Sequence, residues 1–138
     1  MATSEPESLL LDTHALLWWQ AGSELLSARA RRSIDAAPRL FVSAISLWEV
    51  ATMVGQGTIA LDRPTQMWVH DLLADGIVSV ADLAPTIAVA AAQLDEFNGD
   101  QADRIIYATA VHHQLALVTK DPVLTEYARS NGDTSIEW

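Results

Sequence analysis

Four acidic residues spread along the chain, Asp12, Glu49, Asp103 and Asp121, are the ones whose settings could do chemistry together. Asp12 closes the apolar run Leu9-Leu10-Leu11. Such a run reads as a strand buried on both faces, as in the middle of a parallel sheet. A carboxylate leaving that strand stands at the carboxyl edge, where open α/β folds bind their ligands. Asp121 follows another wholly apolar run, Leu115-Ala116-Leu117-Val118-Thr119, which delivers it just past the same edge. Glu49 and Asp103 fall in early turns of helical stretches with little polar surface. One acid at a sheet edge is commonplace, whereas four converging there would repel and need a cation. Hard oxygen donors suit Mg²⁺ or Mn²⁺, which keep several waters and accept phosphate oxygens as further ligands. The chemistry to expect is metal-dependent work on phosphodiesters. Without the metal, at least one of these carboxyls should hold its proton more tightly than usual.

Each acid also has a plainer duty open to it. Asp12 could cap the helix that follows, a frequent use of Asp. Asp121-Pro122 is a common helix start, a capping residue followed by Pro at the first helical position. Glu49 lies three residues after Ser46, which fits a capping box. Its neighbours Ile45, Leu47, Trp48, Val50 and Ala51 argue instead for a helix apolar nearly all round. A carboxylate buried there must be paired, protonated or bound to metal. Asp100 precedes Asp103 by three residues and Arg104 by four, so a helix cap or an exposed salt bridge with Arg104 is open to it. Asp103 is then the better ligand of the pair. Arg104 could balance the acidic cluster or touch a phosphate.

The elements that must position these acids alternate short apolar runs with helical patterns, the signature of βαβ units and a largely parallel sheet. Strands are expected near Ser8–Leu11, Leu40–Val42, Ile77–Val80, Leu115–Thr119 and Thr134–Glu137. Helices are expected over Ala15–Gln20, Ser27–Ala36, Ser46–Val54, Thr65–Asp75, Thr86–Phe97, Ala102–His113 and Val123–Ser130. Gly55-Gln56-Gly57 and Asn98-Gly99 separate helices. One domain over residues 1–138 is expected, with residues 1–7 a flexible N-terminal segment.

Composition narrows the class. At 50% hydrophobic residues with five Trp, the chain can fill a core and is not disordered. It has no cysteine, so disulfides and thiolate metal sites are excluded. No apolar stretch approaches the ~20 residues that span a bilayer, and the acidic start lacks the basic flank of a signal peptide. A cytoplasmic protein without a membrane is the expectation. The net charge of −10 argues against coating by nucleic acid, since phosphate contacts need Lys and Arg. It is compatible with a local basic patch beside a metal-neutralised site. Arg29, Arg31, Arg32 and Arg39 crowd one short stretch, where a solvated helix face is the ordinary reading. His14 has no obvious partner for acid–base work, and His112-His113 end a helix, where the dipole favours cations. Trp18, Trp19, Trp48 and Trp68 read as core or interface packing.

The block from Leu9 to Trp19 and the block Val42-Ser43-Ala44-Ile45-Ser46-Leu47-Trp48-Glu49-Val50 together resemble the PIN-domain family, and more narrowly VapC-type toxins of bacterial toxin–antitoxin pairs. Gly99-Asp100-Gln101-Ala102-Asp103-Arg104-Ile105-Ile106 and Leu117-Val118-Thr119-Lys120-Asp121 continue the similarity in order, so that it covers nearly the whole chain. The resemblance implies a three-layer α/β/α fold with a central, mostly parallel sheet of four or five strands. It implies a Mg²⁺- or Mn²⁺-dependent endoribonuclease inhibited by a small cognate antitoxin, and a homodimer. Asp12, Glu49, Asp103 and Asp121 would form the acidic metal site, with Ser43 and Thr119 as hydroxyls beside it. Gln101 departs from the family, where close relatives commonly have Pro. An antitoxin helix laid in an apolar groove near Trp18–Trp19 is the recognition mode to expect. The rivals are a Mg²⁺-binding receiver-like signalling domain, with Asp82 as phospho-acceptor, and a catalytically inactive PIN-like interaction module.

Overall fold

The computed structural model describes residues 7–138. The expectation of a flexible segment over residues 1–7 therefore falls, except for Glu7, outside the described residues. In chain order the elements are β1 (Leu9–Leu11), α1 (Thr13–Ala21), α2 (Ala28–Ala36), β2 (Leu40–Ser43), α3 (Ala44–Gly55) and α4 (Thr65–Ala74). They continue as β3 (Val78–Ala81), α5 (Pro85–Ala92), α6 (Gln101–His113), β4 (Ala116–Val118), α7 (Pro122–Asn131) and β5 (Ile136–Glu137).

The five strands form one sheet in the order β3-β2-β1-β4-β5, parallel throughout. Leu11 is in register with Val42 on one side and Val118 on the other, which makes β1 the central strand. Alternation along β1 explains the leucine run. Leu9 and Leu11 face a core shared with Ala15, Leu16, Ile34, Val50, Trp68 and Leu72 of α1 to α4. Leu10 faces a second core with Ile106, Tyr107 and Ala110 of α6, Leu117 of β4 and Leu124 of α7. Helices cover both faces, giving three layers, and each buried leucine stabilises by about 1.5–3 kcal/mol. A receiver-like domain would order its strands 2-1-3-4-5, so the observed order removes that rival. Its acceptor candidate Asp82 lies exposed after β3, an edge strand.

Several expected boundaries move. Helix α3 begins at Ala44, capped by Ser43, whose hydroxyl accepts from the Ile45 N–H at 3.2 Å. The capping box that the Ser46–Glu49 spacing allows is therefore absent, because Ser46 is already inside the helix and fully buried. Nor is α3 apolar all round in effect, since Trp48 is 62% exposed and is not core.

The largest correction is α5, which ends at Ala92 rather than Phe97. Glu96 adopts a left-handed backbone (φ 57), which a continuing helix cannot contain. Arg104, for which a salt bridge with Asp100 was one open reading, instead donates to the carbonyls of Ala91 at 3.1 Å, Leu94 at 3.0 Å and Phe97 at 3.1 Å. Those carbonyls lie at the end of α5 and in the loop beyond it, so the guanidinium supplies the donors that further helix would have given. Phe97 then plugs the second core, edge-on to Tyr127 at 4.9 Å between ring centroids. Gly99 passes so close that a Cβ there would lie 2.9 Å from Phe97 Cζ and 3.0 Å from Asp103 Cβ.

Arg104→Lys keeps the charge but loses the planar fork of donors. Its urea midpoint should fall by the equivalent of about 1–3 kcal/mol, the cost of leaving buried acceptors unmet. An unchanged midpoint would show that the guanidinium does not hold this loop.

Candidate active site

The strand order reverses direction about β1: the chain passes to β2 on one side and later returns to β4 on the other. The crevice at the carboxyl ends of β1 and β4 is thus the switch point where α/β folds bind ligands. Asp12 leaves β1 there, and Thr119 and Asp121 follow β4. Asp12 is 7% exposed. Its Oδ1 accepts from the Ala15 N–H at 2.7 Å, which caps α1, and its Oδ2 accepts from the buried Thr119 hydroxyl. The capping duty and the site position therefore coincide in one side chain. Thr119 Oγ1 also accepts from the Asp121 N–H at 3.0 Å, tying both acids to one hydroxyl. Asp121 caps α7 through the N–H groups of Val123 at 2.7 Å and Leu124 at 3.4 Å.

Glu49 is half-buried one turn into α3. Thr13 Oγ1 lies 2.5 Å from Glu49 Oε1 and 2.9 Å from Ser46 Oγ. A hydroxyl has one proton, so the carboxylate takes it and Ser46 supplies its own for the other bond. Thr13 was not foreseen, although its position directly after Asp12 at the start of a helix was a visible cue. Asp100 is exposed and caps α6, its Oδ1 accepting from the Asp103 N–H at 2.8 Å. Asp103 is half-buried in the first turn of α6. Ser43 is buried, and its hydroxyl is engaged in capping α3.

The acids act on one another without forming a finished ligand set. Among the described residues, no three acidic or imidazole side chains stand together as a metal-holding group. Burial raises the Asp12 carboxyl above the usual carboxylate range, against the hydrogen bonds from Thr119 and Ala15, and Asp121 adds to the rise. Burial likewise raises Glu49, opposed by the Thr13 hydroxyl and assisted by Asp100 and Asp12. Asp103 is pushed up to about 7, by burial first and then by Asp100 and Asp121. The strongest charges acting on these three are other carboxylates and His14. Besides these hydrogen bonds, His14 acts favourably on Asp12 and Glu49; its exposed ring stands 5.7 Å from Trp18. The all-oxygen donors of these side chains fit a hard divalent cation in their chemistry.

Beyond His14, α1 borders a groove of about 450 Å³ lined by Leu17, Trp18, Ile59, Leu61 and Trp68. Trp19 does not line it and instead faces a hollow beside Ile34 and Ile77.

A PIN-domain profile matches residues 9–130. The chain is 41% identical over 115 residues to Ribonuclease VapC22 of Mycobacterium tuberculosis, spanning 83% of this chain and 87% of that protein. Among solved structures it is similar to a toxin–antitoxin complex from Klebsiella pneumoniae, at 26% identity and TM-score 0.59, over 82% of this chain and 86% of that one. It also shares its fold with VapBC2 from Rickettsia felis, a structure bound to a DNA fragment from their promoter, at 15% identity and TM-score 0.66, over 95% and 98% of the two chains.

The raised carboxyls predict how the metal-free protein responds to pH. Where the folded state holds a proton that the unfolded state has released, stability falls as pH rises. For Asp103 that window runs from its ordinary value of 3.8 to about 7. With chelator present, the melting temperature should therefore climb as pH is lowered from 7.5 towards 5, and Asp103→Asn should flatten the climb. A slope unchanged by Asp103→Asn would mean that this carboxyl is not under the stated repulsion.

Proposed function

The chain belongs to the PIN-domain family, on its VapC-type branch, and on that footing we propose that it is a metal-dependent endoribonuclease, the toxin of a toxin–antitoxin pair. The observation carrying this reading is the set of raised carboxyls that act on one another at the switch point, in a chain similar to a named ribonuclease. We assign Asp12, Glu49, Asp103 and Asp121 to a site holding Mg²⁺ or Mn²⁺. A cation bound there would supply charge for the phosphate and lower the pKa of water. The chain's own groups do the positioning. Thr119 and the Ala15 N–H fix the Asp12 carboxylate, and Thr13 fixes that of Glu49. Glu49 or Asp103 orients the attacking water and takes its proton. In-line attack then leaves a 5′-phosphate and a 3′-hydroxyl, with no part for the 2′-hydroxyl. Arg104 serves the loop after α5 in this reading, with three of its N–H groups on carbonyls.

The partner reading follows the same footing. A small antitoxin would lay an apolar helix in the groove at Trp18 and Trp68, and a second copy would cover exposed apolar side chains such as Trp48 and Val89. No helix among the described residues is long and apolar enough to cross a membrane. The cytoplasm, where RNA and antitoxin are made, is the compartment this function requires.

Antitoxin-free protein incubated with total RNA should cut it with Mg²⁺ or Mn²⁺ and not with chelator, and Asp12→Asn should lower the rate at least about a hundredfold. Asp12→Asn keeps a capping oxygen, so its circular dichroism should be unchanged. Wild-type protein that leaves RNA intact under every metal condition would support the inactive-module alternative instead.

A further inference from the structure

A site of four acids on a protein of net charge −10 repels the polyanion that the proposed activity must bring to it. Phosphate contacts have to come from Lys or Arg, and the chain has eight. Most are committed or remote. Arg63 is paired with Asp62 at 3.0 Å and Asp71 at 2.7 Å, and Arg129 with Glu126 near the far end of α7. Arg29 pairs with Glu137 at 3.4 Å, and Arg31 donates to the Ser23 carbonyl at 3.1 Å. Arg32 lies on α2, which carries none of the four acids, and Arg39 precedes β2, at the opposite edge of the sheet. Arg104 is spent on three carbonyls.

Lys120 differs from all of these. It is exposed, no carboxylate among the described residues pairs with it, and it lies between Thr119 and Asp121 at the switch point. Both of its neighbours are held. Thr119 is fully buried, donates to Asp12 and accepts from the Asp121 N–H at 3.0 Å, while Asp121 is locked into the cap of α7. The backbone that carries the ammonium is thus immobilised before any ligand arrives, which lowers the ordering cost of a contact. The hollow beside α7 carries the acids Asp95, Glu96 and Glu126 and no lysine or arginine in its lining.

We propose that Lys120 is the RNA-positioning cation of this protein, contacting a backbone phosphate next to the scissile bond. The inference rests on the ribonuclease reading above. It assigns Lys120 to binding and not to chemistry, so its removal should raise KM several-fold and leave kcat within about twofold.

The test uses the full chain as wild type, Lys120→Gln and Lys120→Arg. Each is titrated into a fluorescein-labelled single-stranded RNA of mixed sequence, with chelator present and NaCl varied from about 50 to 200 mM. One lost phosphate contact on a single strand should reduce the slope of log Kd against log salt by about 0.7. Lys120→Gln should show that loss, and Lys120→Arg should restore the slope. A Gln variant with the wild-type slope, or weakened binding with no change in slope, overturns the assignment. So does wild-type protein that cuts RNA with Mg²⁺ yet binds it without salt dependence. Wild-type protein that does not cut RNA at all refutes the underlying ribonuclease reading instead.

Discussion

A carboxylate kept almost out of water at the end of the central strand is the constraint on which the site depends. Asp12 is tolerated there because the start of α1 and the Thr119 hydroxyl each give it a hydrogen bond. The second bond comes from a residue 107 positions away. It can form only if β1 and β4 pair in the observed register, so sheet topology and site geometry are one requirement. Two bonds do not offset the loss of water entirely, and the carboxyl remains raised. That residual cost is the hold a cation would have on the fold.

The neighbouring acids follow the same pattern with different supports. A threonine serves Glu49, a cap serves Asp121, and Asp103 sits over a loop braced by Arg104 and closed by Gly99. None of these supports is a positive charge placed against a carboxylate. Hydroxyl and amide donors orient an oxygen while leaving its charge intact for a ligand, whereas an ion pair would cancel it.

Much of this was legible in the sequence, and the reasons can be named. The leucine run of β1 reads directly because both faces of the strand are buried, and the alternation of apolar runs with helices identifies a parallel sheet. Asp12 and Asp121 were visible as strand-exit acids, and both proved to be caps as well. What failed depended on contacts distant in sequence. The end of α5 is decided by Arg104, twelve residues past Ala92, and no local pattern around Leu94 announces it. The Ser46–Glu49 capping box fitted the spacing rule but not the register, because Ser43 took the cap first. Trp48 read as core or interface packing, and the packing of α3 leaves it outside the core.

The strand order also has a consequence in time. Ribosomal synthesis runs from the amino end, so β1 emerges well before its sheet neighbour β4, and Asp12 precedes Thr119 by 107 positions. Until then Asp12 lacks the hydroxyl that holds it, and Asp121 does not yet exist. The central strand and its acidic crevice are therefore completed together, and on the proposed reading a hydrolase that attacks RNA would be unarmed until β4 has joined the sheet.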